Sequence, residues 1–247
     1  MHLPAPLIPA VLLRRYKRFL ADVRLEDGTE ITVHCPNPGA MTGLTAEGSR
    51  VWLSLSANRA RKLPHTLELM QVDGGLVGIN TGHPNRVVET ALAADEVPEL
   101  AGYERVRREV RYGAASRIDL LLEGDGRPDC YVEIKNVHLM RAPGLAEFPD
   151  SVTARGARHL DELAAMVATG ARAVMLYVVQ REDCDRFALA DDIDPAYAAA
   201  FERARAAGVE ACVYGCSLSL TEIRLTSRLP FATAANRDIA TIRERAR

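Results

Sequence analysis

The stretch SRIDLLLEGDGRPDCYVEIK, residues 116–135, constrains the fold more than any other part of this chain. Residues 117–122 and 130–137 are rich in apolar and β-branched side chains, and the Gly-Asp-Gly-Arg-Pro-Asp between them is turn chemistry, so the stretch predicts a β-hairpin. A hairpin centred on Gly126 sets Asp119 opposite Glu133 and Arg117 opposite Lys135. Side chains alternate faces along a strand. One face then carries Ile118, Leu120, Leu122, Val132 and Ile134 toward a core, and the other gathers Arg117, Asp119, Glu133 and Lys135. Two neighbouring carboxylates repel unless a cation lies between them. A divalent cation with oxygen ligands satisfies both, and a lysine one pleat away sits beside a metal-bound water. The same charges also suit a solvated strand face closed by an internal ion pair.

At 247 residues the chain has room for one large domain or two small ones. It is 48% hydrophobic and 26% charged, and no apolar run is long enough to cross a bilayer as a helix, so a membrane partner is not expected. Near the start, LPAPLIPAVLL is broken by prolines and its basic residues follow the apolar part, the wrong order for a signal peptide. The five cysteines (35, 130, 184, 212 and 216) are odd in number and form no CxxC pair. A reduced, cytoplasmic setting fits them, with Cys212 and Cys216 read as small core residues. The net charge of −2 gives no support to nucleic-acid binding by the chain as a whole, so any such surface must be local.

Residues from about 9 to 81 read as all-β. Phe19, Ala21, Val23 and Leu25 alternate with polar neighbours, and further strand runs fall at 31–33, 50–55, 66–72 and 76–80 with turn signals between them. Short strands so spaced predict a small barrel of the OB type. Within it, Arg14-Arg15-Tyr16-Lys17-Arg18-Phe19 interleaves cations with aromatics, a mixture suited to phosphate contacts and base stacking, or else one solvated basic face. The loop His34-Cys35-Pro36-Asn37-Pro38-Gly39-Ala40-Met41-Thr42-Gly43 is stiffened by two prolines, and its glycines allow close backbone approach to a phosphate or to another loop. Arg59, Arg61 and Lys62 form a further small basic cluster of little specificity.

From Gly82 the pattern changes. Residues 84–93 have helical spacing with Pro84 in the first turn; Val88, Ala91 and Leu92 face inward, and Glu89 lies beside that face. Residues 103–112 form a charged strand that leads into the hairpin. Residues 136–149 read as a Pro- and Gly-bearing loop, and Asp150-Ser151 as the cap of a helix over 151–169 whose buried stripe is Val152, Gly156, Leu160, Leu163 and Val167. Arg155, His159 and Glu162 share a neighbouring stripe, where Arg155 and His159 either hold a phosphate or form a solvated pair. Strands at 171–180, 209–214 and 218–225 and a helix at 195–207 make this half α/β. Domains are therefore expected at 1–81 and 82–231, with an Ala- and Arg-rich tail at 232–247.

Asp119, fourteen residues before Glu133-Ile134-Lys135, resembles the PD-(D/E)XK nuclease signature, whereas the literal Pro128-Asp129 lies in the turn, too close to Glu133 to face it. The wider chain, about residues 7–231, is similar to the sugar fermentation stimulation protein (SfsA) family. The matching stretches are RRYKRFLADV, PNPGAMTGL, PNRVVETAL, RIDLLL, YVEIKNV, FPDSVTARGARHLDEL and LPF. This resemblance implies an OB-like domain followed by a nuclease-like α/β domain with a mixed sheet. It also implies DNA binding without strong sequence preference, and a link to the regulation of sugar metabolism, notably of maltose. By the same resemblance, Asp119, Glu133 and the Ile134 carbonyl would hold Mg²⁺ or Mn²⁺, Lys135 would position or deprotonate the attacking water, and Glu89 would complete a second metal site or orient a metal-bound water. Arg155 and His159, with Arg117 and the cations and tyrosine of residues 14–18 (Arg14, Arg15, Tyr16, Lys17 and Arg18), would contact DNA. Two readings follow, a metal-dependent nuclease and a purely DNA-binding regulator whose nuclease-like domain is not catalytic.

Overall fold

The structure, a computed structural model, describes residues 1–113 and 116–233. The tail expected at 232–247 lies almost wholly outside these residues. Six strands build the first unit: β1 (Ile8–Tyr16), β2 (Leu20–Leu25), β3 (Glu30–His34), β4 (Arg50–Leu55), β5 (His65–Val72) and β6 (Gly75–Gly78). They are ordered β3-β2-β1-β4-β5-β6, and pairing of β3 with β5 closes the first five into a barrel around Leu12, Val23, Val33, Leu53 and Leu67. This is the OB architecture. The sequence reading missed β1, because its prolines masked a strand in which Ala10 and Leu12 still alternate inward.

The second unit comprises α1 (Pro84–Ala93), β7 (Arg105–Tyr112), β8 (Ser116–Glu123), β9 (Cys130–Val137), β10 (Leu139–Ala142), β11 (Gly144–Phe148), α2 (Ala154–Ala168), β12 (Arg172–Val179), β13 (Cys184–Leu189), α3 (Pro195–Ala206), β14 (Glu210–Leu218) and β15 (Ile223–Arg228). Its mixed sheet runs β15-β14-β12-β9-β8-β7, with β12 parallel to both neighbours. Continuous apolar runs such as RAVMLYVV belong at the middle of such a sheet, covered on both faces. One face packs on α1 and the other on α2 and α3. The expected loop at 136–149 instead supplies β10 and β11, which join β13 in a small sheet; Gly144, at φ +78°, makes the tight turn that was read as loop.

The two units share a core. Trp52 and Leu69 of the barrel pack in the α1-side cluster with Val87, Val88, Leu120 and Val132. The Gly78 amide also donates to the Gln180 carbonyl at 2.9 Å, and the Met41 amide to Asp150 Oδ2 at 3.0 Å. That second bond corrects the expected helix cap. Asp150 tethers the barrel loop, while Thr153 caps α2 by accepting from the Gly156 amide at 3.0 Å, and Val152 is 74% exposed rather than part of a buried stripe.

The basic stretch at 14–18 also divides differently from expectation. Arg14 pairs with Asp22 at 2.7 Å, and the Tyr16 hydroxyl donates to the same carboxylate at 3.0 Å. Arg15 donates to the carbonyls of Arg18, Asn37, Gly39 and Ala40, so it fixes the Pro-Gly loop rather than offering its charge outward. Lys17 and Arg18, at φ +49° and +61°, form the exposed β1–β2 turn. Arg15→Ala is therefore expected to destabilise the protein by about 2 kcal/mol, since four carbonyls lose a charged donor. Arg14→Ala, at an exposed ion pair, should change stability by less than about 0.5 kcal/mol. Urea melts of the two variants check the contrast; equal effects would refute the structural role of Arg15.

Candidate functional site

The central hairpin forks. β8 and β9 pair from Leu122↔Cys130 to Leu120↔Val132, the register expected from the sequence, and the ladder stops one step before Asp119 and Glu133. Asp119 Oδ2 then accepts from the Ile134 amide at 2.8 Å, so a carboxylate takes the place of a strand carbonyl. On the other side of Asp119 the pleat breaks: Ile118 packs in the cluster facing α2, whereas Leu120 and Leu122 face α1. This corrects the expected single apolar face. Glu109, at φ +50°, marks the matching irregularity in β7, where pairing steps from Arg108↔Leu120 to Val110↔Ile118.

The two acids experience opposite surroundings. Burial and then the Glu133 charge push the Asp119 carboxyl above the usual carboxylate range, against the pull of the Ile134 amide, Asn85 and Lys135. For Glu133, 3% exposed, burial also acts upward, but the bonds and charges of His159 and Lys135 outweigh it and hold the carboxyl low. Lys135 Nζ donates to Glu133 Oε1 at 2.6 Å. His159 Nδ1 bonds the same oxygen. The His159 tautomer follows from Arg155, whose Nε can only donate and lies 3.2 Å from His159 Nε2. In the neutral ring Nε2 then accepts and the proton sits on Nδ1, pointed at Glu133. Glu133 Oε2 stays buried with no partner among the described residues, as do Tyr112 Oη and Glu162 Oε2. The Tyr112 hydroxyl is pushed up by burial and by the charges of Glu133, Glu162 and Asp119, which places it among the acids.

The structure thus brings Asp119, Glu133, Lys135, Arg155 and His159 together. His159, 3% exposed, does not face a phosphate; it lies beneath Glu133 and orients it. Arg155 is exposed and bonds His159 through Nε alone. Glu89 turns to Arg108 at 2.8 Å, while the residue of α1 that reaches Asp119 is Asn85, whose amide donates to Oδ1 at 2.9 Å. Asn85 lies one helical turn before Glu89 on the same stripe, so the spacing pointed to the right face and the preference for an acid chose the wrong turn. Arg117 is exposed on β8. Tyr112 and Glu162 were not singled out as site residues. Among the described residues no three His, Cys, Asp or Glu side chains converge as a ready cage. A hard cation would rest on two carboxylates, a backbone carbonyl and water, a donor set suited to Mg²⁺ or Ca²⁺.

Beside the fork, a cleft of about 680 Å³ lies between the units, lined by Arg18, Asn37, Pro38, Asn136, His138 and Asp150 among others. Both elements that carry the site border it: β9 passes from Lys135 to Asn136, and Thr153 of the cleft wall caps the helix bearing Arg155 and His159. No helix among the described residues is long and apolar enough to cross a membrane.

Two family models match the chain: "SfsA N-terminal OB domain" over residues 13–79 and "Sugar fermentation stimulation protein RE domain" over residues 82–222. A sugar fermentation stimulation protein homolog of Rhodospirillum centenum is 65% identical over 219 residues, covering 89% of this chain and 94% of the relative. One from Azorhizobium caulinodans is 58% identical over 234 residues, covering 93% of this chain and 99% of the relative. Among solved structures, that of Pyrococcus furiosus SfsA in complex with Ca²⁺ superposes with a TM-score of 0.85 at 28% identity, covering 94% of this chain and 98% of that one. The motif order, the barrel followed by a forked mixed sheet, and these matches over nearly the whole chain agree: the chain belongs to the sugar fermentation stimulation protein (SfsA) family.

Proposed function

We propose that this protein binds nucleic acid, DNA foremost, and hydrolyses its phosphodiester backbone with the help of Mg²⁺ or Mn²⁺ at the fork. The observation that carries this reading is Glu133: one oxygen is anchored by His159 and Lys135, while the other is buried, unpartnered among the described residues, and close enough to Asp119 to raise its pKa. Asp119, Glu133 Oε2 and the Ile134 carbonyl fit a cation that prefers oxygen ligands, and the Ca²⁺ complex of the Pyrococcus relative supports a divalent ion in this family. Such an ion supplies charge neutralisation at the phosphate and lowers the pKa of water.

The protein's own groups do the rest. His159 hands its Nδ1 proton to a hydrogen bond with Glu133 and so fixes that carboxylate. Lys135, at the mouth of the fork, donates to the attacking water and orients it. Arg155 presents its terminal guanidinium nitrogens to the phosphate, where negative charge develops. Arg18, in the cleft wall, extends the cationic path to the barrel, with Lys17 beside it in the same turn. The five free cysteines suit a reducing, cytoplasmic compartment, and the family name supports a link to the control of sugar use.

The test incubates purified protein with single- and double-stranded DNA and RNA in Mg²⁺, Mn²⁺ or EDTA. Metal-dependent products that vanish in Glu133→Ala are expected. Retarded migration with no product in any metal would leave the alternative, a DNA-binding regulator whose fork no longer turns over.

A further inference from the structure

β7 is the edge strand of the large sheet, and four of its eight residues are arginine. Three are neutralised: Arg105 and Arg107 lie 3.6 and 3.3 Å from Glu123, and Arg108 lies 2.8 Å from Glu89. The fourth, Arg111, pairs directly across the ladder with Arg117 of β8. Both are exposed, and neither has an acidic partner among the described residues. The three residues between the strands in sequence, Gly113, Ala114 and Ala115, carry no charge. Like charges directly opposite on antiparallel strands destabilise the pair. A chain that neutralises every other arginine on the strand leaves this repulsion standing at one place.

That place adjoins the fork. Arg117 lies two residues before Asp119 on β8, and the intervening Ile118 turns into the α2-side core together with Val110 and Tyr112. Arg111 and Arg117 therefore open to the opposite side, toward α1, from which Asn85 reaches Asp119. A phosphate approaching Asp119 and Glu133 meets two carboxylates, and cations flanking them offset that repulsion. Two arginines directly opposite across a ladder can each offer a bidentate guanidinium bond to the oxygens of one phosphate.

We infer that Arg111 and Arg117 form a clamp for a backbone phosphate of the nucleic acid, next to the phosphate held at the fork. The inference builds on the proposed function, but its test needs neither metal nor turnover. In EDTA, fluorescence anisotropy with a labelled oligonucleotide is measured across a salt series for wild type, Arg111→Ala/Arg117→Ala and, as a control, Arg105→Ala. The double variant is expected to bind more weakly and with a slope of log affinity against log salt shallower by about 1.4–1.8, the share of two phosphate contacts. Arg105→Ala should keep the wild-type slope to within a few tenths. A second arm follows melting temperature without oligonucleotide: Arg117→Ala should melt no lower than wild type, because it relieves the repulsion, and should lose any stabilisation by inorganic phosphate. A wild-type slope in the double variant overturns the clamp. If phosphate stabilisation is nevertheless lost in that variant, the pair serves a small phosphate ester and the backbone assignment is equally overturned. Since no arm reads cleavage, a chain that binds in this way but never cuts DNA would sink only the nuclease reading.

Discussion

Lys135→Ala is expected to lower metal-dependent cleavage by about 10²–10⁴-fold, the usual reach of a positioned acid or base, while leaving divalent-cation binding intact. The ammonium lies 2.6 Å from Glu133 Oε1, with its side chain 15% exposed. In the apo protein it offsets part of the negative charge of the acid pair, and it competes electrostatically with any second cation. Its removal makes the fork more negative and binds Mg²⁺ at least as well. It also leaves Glu133 with His159 as its one side-chain partner among the described residues, so the variant should melt lower than wild type in EDTA and recover more of that loss on Mg²⁺ addition. Single-turnover cleavage and Mg²⁺-dependent melting, read together, separate the two roles. Cleavage at the wild-type rate would remove Lys135 from the chemistry.

Asp119→Asn is expected to do the reverse for stability: the variant should melt higher than wild type at neutral pH in EDTA, yet gain nothing from Mg²⁺. Asp119 sits above the usual carboxylate range because of burial and then Glu133. A group so shifted favours the folded state when protonated. That contribution is fully present below the unfolded carboxylate pKa of about 4 and is lost as pH rises through the folded pKa. At pH 7 the ionised side chain therefore subtracts from stability. Asparagine removes the charge and keeps an acceptor for the Ile134 amide. Each kcal/mol recovered should appear as roughly 2–4 °C for a unit of this size. The gain should shrink as the pH is lowered toward 4.

Glu133 has the opposite sign. Its lowered pKa contributes stability above the unfolded value that is lost as pH falls through the folded one, so Glu133→Gln should destabilise at neutral pH. Equal Mg²⁺-dependent rises in wild type and Asp119→Asn would show that the cation binds elsewhere.

Local chemistry determined much of this protein. The alternation in residues 117–122 and 130–137 and the turn at Gly126 are properties of the chain itself, and they set the register that carries Asp119 to the level of Glu133. The apolar run of β12 and the amphipathic stripe of α2 likewise needed no partner to be read. The ordered motifs from RRYKRFLADV to LPF were enough to indicate the family.

Tertiary contacts decided what each charge does. Arg15 looked like a ligand-binding cation until three carbonyls of a loop more than twenty residues away, with that of Arg18 in the adjacent turn, converged on it. Asp150 looked like a helix cap, but the barrel's Met41 amide claimed it across the unit boundary. His159 and Arg155 share a stripe by helical spacing, yet only the packing of α2 on β9 buries one against Glu133 and leaves the other outside. Asn85 and Glu89 are likewise equivalent by period, and the break in the pleat at Asp119 and Glu109 chose between them. A strand or helix period fixes the face on which a side chain stands. Its charge remains a question of which unpaired group of the opposite sign the fold brings within hydrogen-bond reach, and sequence spacing carries no information about partners a hundred residues away.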